Sequence, residues 1–319
     1  MLEFLIRRLA TLIVALMATA IIIFTVTEVL PGDPAAVMLG VSATPETIAA
    51  LRRDLGLDAS LLVRFWGWIS GFASGDLGLS YAYRVPVSGL ILERLTVTLP
   101  LAMMAISLVA TLGITLGALA ASRANTALDT VIMVGAQIGL AIPNFWFGIL
   151  LVLIFSITLG WFPAGGFAGW QAGLWPGLKS LILPAVALAL PQSAVIARVT
   201  RTAVLEALGE DYVRTARAKG LTFNQALRRH VMRNAMVPVL TILSLQFSFL
   251  VAGTIIIENV FSLPGLGRLM FQAIGGHDII TVKSLVMVFA TAVILINAAV
   301  DIAYGLIDPR LRQGRQVRA

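Results

Sequence analysis

Sixteen carboxylates, two histidines and no cysteine are the stock from which this 319-residue chain could build an active site or a metal site. Without cysteine there is neither disulfide nor thiol chemistry. Two isolated histidines, His230 and His277, cannot make a His-based metal centre unless carboxylates stand beside them. A phosphate-cradling loop needs Gly-Lys-Ser or Gly-Lys-Thr, yet the three lysines follow Leu178, Ala218 and Val282. The serine of GFASG at 71–75 does not sit in a Gly-x-Ser-x-Gly elbow, and neither histidine is placed to act as its base. The expectation is therefore a chain with no catalytic residue, no metal and no bound cofactor. Its charge is concentrated instead in residues 208–238, LGEDYVRTARAKGLTFNQALRRHVMRNAMVP. There Glu210 and Arg214 stand four apart in the favourable acid-first order, Lys219 falls in a last turn and Gly220 where a left-handed cap belongs. Thr222 followed by Gln225 fits a capping box that starts a second helix. Helix, sharp bend and helix should then be presented to water.

The elements that hold this loop are apolar. With 59% apolar and 12% charged residues and a mean hydropathy of +0.94, the chain departs far from soluble domains, which carry about 45–50% apolar and 25% charged residues. The pattern implies an all-α integral membrane protein with six transmembrane helices at about 9–29, 95–121, 130–159, 180–199, 236–257 and 284–305. The first segment is longer than a signal-peptide core and is taken as an uncleaved span with its amino end inside. A polar insertion at 31–94 should follow it, with an amphipathic helix after residue 44 and an aromatic helix carrying Phe65, Trp66, Trp68, Ile69 and Phe72 at the membrane surface. Pro184 and Pro191 should interrupt the fourth span, and the coupling loop occupies 208–235 between the fourth and fifth. The core is thus 95–307, and 308–319 forms a tail. Fifteen of the 23 Lys and Arg fall on the loop's side, which makes that side cytoplasmic and both termini with it. The same rule accounts for the +7 balance without nucleic acid. Polar groups within spans usually face protein or a water-filled path, so Gln137, Asn144, Gln246 and Asn297 are candidates to line one.

Glu210, Asp211, Tyr212, Val213, Arg214, Thr215, Ala216, Arg217, Ala218, Lys219, Gly220 and Leu221 together resemble the coupling loop of ABC importer permeases of the dipeptide, oligopeptide and nickel branch. PGDP at 31–34, DLGLD at 54–58, GDLGLS at 75–80, PV at 86–87, IPNFWFGILL at 142–151, SLPGLGRL at 262–269 and DPRLR at 308–312 extend the resemblance over nearly the whole chain. Arg214 and Thr215 depart from the general importer pattern, as does the late proline, Pro238, in the manner of the peptide branch. The resemblance implies a permease subunit in a bacterial inner membrane. It implies a homologous second permease, two ATP-binding subunits that carry ATP and Mg, an extracytoplasmic substrate-binding protein and surrounding lipid. Glu210, Asp211, Tyr212, Arg214, Ala216, Arg217, Lys219 and Gly220 would then couple to the ATPase, with Tyr212, Val213 and Ala216 as an apolar tip and the charges setting register through ion pairs. Peptides are the implied cargo, with glutathione or chelated nickel as alternatives. An ion-coupled secondary transporter is the rival of a different class, disfavoured because Glu28, Glu258 and Asp301 lie near span ends. An intramembrane enzyme is disfavoured by the missing catalytic constellations.

Overall fold

In a computed structural model the chain is described over residues 2–29, 34–40, 43–54 and 56–307, and these are helical apart from short connections. The motif residues at 31–33 and the DPRLR segment with its tail lie outside them. The chain divides into two compact units, 1–98 with 264–298 and 99–263 with 299–319.

The first unit holds α1 (Leu2–Val29), the short α2 (Pro34–Leu39) and α3 (Pro45–Asp54), α4 (Leu61–Ser74), the start of α5 (Val87–Ser122), α12 (Leu266–Gly275) and most of α13 (Ile279–Ile307). α4 is two-faced. Phe65, Trp68, Ile69 and Phe72 pack on Ala20 and Ile23 of α1 and on Met287, whereas Leu61, Leu62 and Trp66 are exposed. Beside this cluster Lys283 Nζ lies 4.8 Å from the Trp68 ring centroid and 5.2 Å from that of Phe24, a cation–π arrangement. Arg64 closes the group with a 2.8 Å ion pair to Glu28.

The insertion is tied to α13 by one fully buried carboxylate. Asp278 accepts hydrogen bonds from the Ser80 hydroxyl, from the Thr281 hydroxyl at 2.7 Å and from the Thr281 amide at 3.2 Å. Next to it, burial pushes the Tyr81 phenol up to about 12, and the Asp278 carboxylate adds to the shift. The neutral phenol is thus favoured by folding. Its stabilisation is complete below the ordinary value of about 10 and is lost as pH rises through 12. Spectrophotometric titration should show one phenol, absent in Tyr81→Phe, ionising about two pH units above the ordinary value of about 10.

The second unit holds the rest of α5, α6 (Ala127–Ala141), α7 (Asn144–Leu151) with a π-helical continuation at Val152–Thr158, α8 (Leu174–Gly209), α9 (Asp211–Ala218), α10 (Phe223–Ala226) and α11 (Met232–Val260). At 36 residues each, α5 and α8 are about 54 Å long and outreach a hydrocarbon core of about 30 Å. α8 runs unbroken through Pro184 and Pro191. The expected interruption is therefore corrected, since neighbouring helices let a membrane helix absorb a proline. α8 is also the best covered span, with 67% of its most apolar window buried against 39% for α5.

Among the described residues, five helices are long and apolar enough to cross a membrane. A sixth crossing exists if α6 and α7 with its continuation count as one, although they meet at 102°. The third span expected from sequence is thus a broken one. Pro143 forces the break: Ile142 before it is extended at φ −89°, ψ 122°, and Pro143 begins the new helix, its carbonyl accepting from the Phe147 amide at 3.0 Å.

Candidate coupling loop and the core that carries it

α8 ends at Gly209, and Glu210 is extended at φ −73°, ψ 147°. Its carbonyl accepts from the amides of Val213 and Arg214, so Glu210 opens α9 as a cap residue. The expected side-chain pair between Glu210 and Arg214 does not form. Arg214 instead meets Asp211 at 3.4 Å with both side chains largely in water, a geometry worth at most about 1 kcal/mol. No other ion pair involves the loop among the described residues, so its other cations are free to meet another charged surface.

α9 is strongly one-sided. Val213 and Ala216 are buried within this chain, while Tyr212 is 37% exposed. This corrects the expected apolar tip: Val213 and Ala216 anchor the helix to its own unit, and Tyr212, Arg214 and Arg217 face outward with Lys219. Spacing alone could not separate the anchored face from the free one. After α9 the chain turns at Gly220, whose φ of +96° is costly for any residue with a Cβ. The capping box is complete. Thr222 Oγ1 accepts from the Gln225 amide at 3.4 Å, and Gln225 Oε1 accepts from the Thr222 amide at 3.0 Å. From there α10, a π-helical turn at Leu227–Val231 and α11 follow without a break, so the loop continues directly into a span at each end.

The residues singled out for a translocation path are dispersed. Gln246 is buried on α11, and its Oε1 has no hydrogen-bond partner among the described residues. Asn144 is the first residue after the Pro143 break and abuts Gly253 of α11. Gln137 is exposed on α6 and Asn297 is partly buried on α13.

Two features of the core escaped the sequence reading. Asp129 at the start of α6 is held by Arg201 of α8 in a two-pronged pair, Nε to Oδ1 at 2.6 Å and Nη2 to Oδ2 at 2.7 Å. The Asn125 amide, in a left-handed turn at φ 62°, donates to the same carboxylate. Only an acid at the first turn of a span and an arginine near the end of another hinted at it. The second is the Gly113 and Gly117 pair, four apart on α5. A Cβ at Gly117 would lie 2.4 Å from the Ala197 carbonyl oxygen, and one at Gly113 would lie 2.6 Å from Ile196. α5 and α8 meet backbone to backbone there, as small residues permit in membrane helices. Gly-x-x-x-Gly was legible at these positions, but it is too common in spans to name its partner.

Long apolar helices, one broken span and a polar two-helix loop continuous with spans on both sides define a multi-span helical membrane protein. The profile of the family described as binding-protein-dependent transport system inner membrane component matches residues 113–313, and that of its N-terminal region matches 1–102. A peptide transport system permease protein of Brucella abortus (strain 2308) is 42% identical over 306 residues, covering 96% of this chain and 98% of its own. A glutathione transport system permease protein of Salmonella choleraesuis (strain SC-B67) is 40% identical over 312 residues, covering 98% and 99%. A chain of the MetNI methionine ABC transporter in an inward-facing conformation superposes with a TM-score of 0.58 at 18% identity, over 69% of this chain and 96% of that one, which speaks for the fold. The chain belongs to the binding-protein-dependent transport system inner membrane component family and is a permease subunit of an ABC importer.

Proposed function

We propose that this permease carries short peptides, glutathione-like tripeptides among them, and that α9 is the surface through which separate ATP-hydrolysing subunits drive it. The observation that carries the reading is the build of α9. It is fastened inward by Val213 and Ala216 and bears an outward set of Tyr212 and cations, of which Arg217 and Lys219 have no ion-pair partner among the described residues. It is also joined to α8 and, through the capping box, to α11. Such an element transmits a rigid displacement into helix packing, biasing inward-open against outward-open states. The names of the two relatives support peptide cargo. In this reading the chain holds no cofactor and is not itself an enzyme. ATP and Mg belong to two partner subunits, a second homologous permease completes the path, and an extracytoplasmic binding protein delivers substrate. The loop and both termini face the cytoplasm of a bacterial inner membrane. No cluster of His, Cys, Asp or Glu that could hold a metal ion stands among the described residues, so no observation favours nickel chelates, and the loop gives an ion-coupled carrier no role.

Because the chain has no cysteine, Tyr212→Cys introduces a single reactive site without a background. Oxidative or bifunctional crosslinking of the assembled transporter should join it to an ATPase subunit; labelling only from outside, or no crosslink in an intact assembly, would overturn the assignment. Gly220→Pro should lower substrate-stimulated ATPase activity roughly tenfold, because a proline ring cannot adopt the left-handed turn and the strain is about 1–3 kcal/mol. Membrane insertion should be retained. Arg214→Glu should act in the same direction and more weakly, and equal activity in the assembled complex would count against coupling through α9.

A further inference from the structure

α8 presents a polar strip near its C-terminal end. Arg198, Thr202 and Glu206 follow one another at intervals of four and are all exposed, so they share a face. With Leu140 of α6 and with Pro238 and Ile242 of α11 they line an open cavity of about 510 Å³, within the range of about 300–1,000 Å³ typical of small-ligand pockets. Three residues beyond Arg198, Arg201 is spoken for by Asp129. Arg198 and Glu206, in contrast, have no ion-pair partner among the described residues. Eight residues along a helix separate them by about 12 Å, too far for them to neutralise each other. A purely anionic ligand would be repelled at the Glu206 end and a purely cationic one at the Arg198 end. A molecule with one negative and one positive terminus satisfies both. An extended chain spans about 3.3–3.6 Å per residue, so two to four amino acids bridge the strip.

We infer that this groove is a binding site for a short zwitterionic peptide in transit. The peptide carboxylate meets Arg198, its ammonium meets Glu206, and the Thr202 hydroxyl hydrogen-bonds an amide between them. The inference rests on the peptide reading above and adds where, and in which direction, the peptide lies. Glu206 stands one turn before the end of α8, so the ammonium end of the occupant adjoins the coupling loop.

The test is a cycle of variants against end-blocked ligands, read as direct binding to the assembled, nucleotide-free transporter in nanodiscs without its binding protein. Trialanine is the probe, with trialanine amide and N-acetyl-trialanine as its blocked forms. Blocking the carboxylate should weaken binding to the parent about fivefold, as expected for a partly solvated charge contact, and should change nothing for Arg198→Gln. Blocking the amine should do the same for the parent and nothing for Glu206→Gln. Arg198→Lys should keep the carboxylate dependence. A merely structural role for either residue would weaken all three ligands alike, and that outcome overturns the inference, as does equal binding of free and blocked peptides to the parent. Trialanine uptake by the complete transporter separates the two levels. Uptake without coupling in the cycle overturns the groove alone, whereas no peptide uptake overturns both the groove and the peptide reading.

Discussion

Asp129→Asn is expected to cost the permease about 3 kcal/mol of stability, the lower end of the range for breaking a buried pair from one side. Asp129 has a side chain only 6% exposed and Arg201 is 26% exposed, so removing the carboxylate's charge leaves a guanidinium half-withdrawn from water with nothing to offset its desolvation. The loss also loosens the left-handed turn at Asn125, whose amide donates to the same carboxylate, and with it the path from α5 into α6. Thermal unfolding of the purified chain in detergent should show the effect. Arg201→Gln should be similarly costly. The double variant Asp129→Leu with Arg201→Met should recover most of the difference, because replacing both partners of a buried pair by apolar groups is commonly neutral or better. If the single variants melt with the parent, the pair is an ornament of the surface and not a clamp between α6 and α8.

Gly117→Val is expected to be at least as damaging. A branched side chain cannot share space with a carbonyl oxygen 2.4 Å from its Cβ and the Thr200 Cβ at 2.6 Å. Both obstacles belong to a helix covered by its neighbours, so the strain has no flexible chain end into which it can relax. Overpacking of this kind costs about 1–3 kcal/mol and occasionally more; here the upper part of that range or beyond is expected. Gly113→Val, one turn earlier on the same face and 2.6 Å from Ile196, should behave alike. Gly135→Val provides the control, since no atom lies within 4 Å of its Cβ position, and its stability should stay within about 0.5 kcal/mol of the parent. Unfolding curves that rank Gly135→Val below Gly117→Val would refute the close approach of α5 and α8.

These effects sit where sequence reading was weakest, for a common reason. Periodicity and hydropathy report on how a segment meets its solvent, and the lipid-crossing helices announced themselves in that way. Local chemistry was equally legible. The capping box at Thr222 and Gln225, the left-handed turn at Gly220 and the short helix before it depend on a few neighbouring residues and appear in the structure at those positions. Pro143 was visible as a weak point. Its outcome, a 102° break as opposed to a kink, was not, because Pro184 and Pro191 carry the same local defect and leave α8 continuous. The difference lies in what surrounds each proline.

By itself, then, the chain of residues determined an all-helical membrane protein, a polar two-helix loop between two spans and the family to which these belong. Tertiary structure alone decided which side of α9 is held inward, that Arg201 serves Asp129 while Arg198 is left to a groove, and that two glycines exist to admit α8. The ion pair and the glycine contacts join residues 72 to 83 positions apart. Sequence spacing fixes which side chains share a helix face, but not which other helix arrives to meet them; that is settled only when side-chain shape and burial are satisfied together across the packed core.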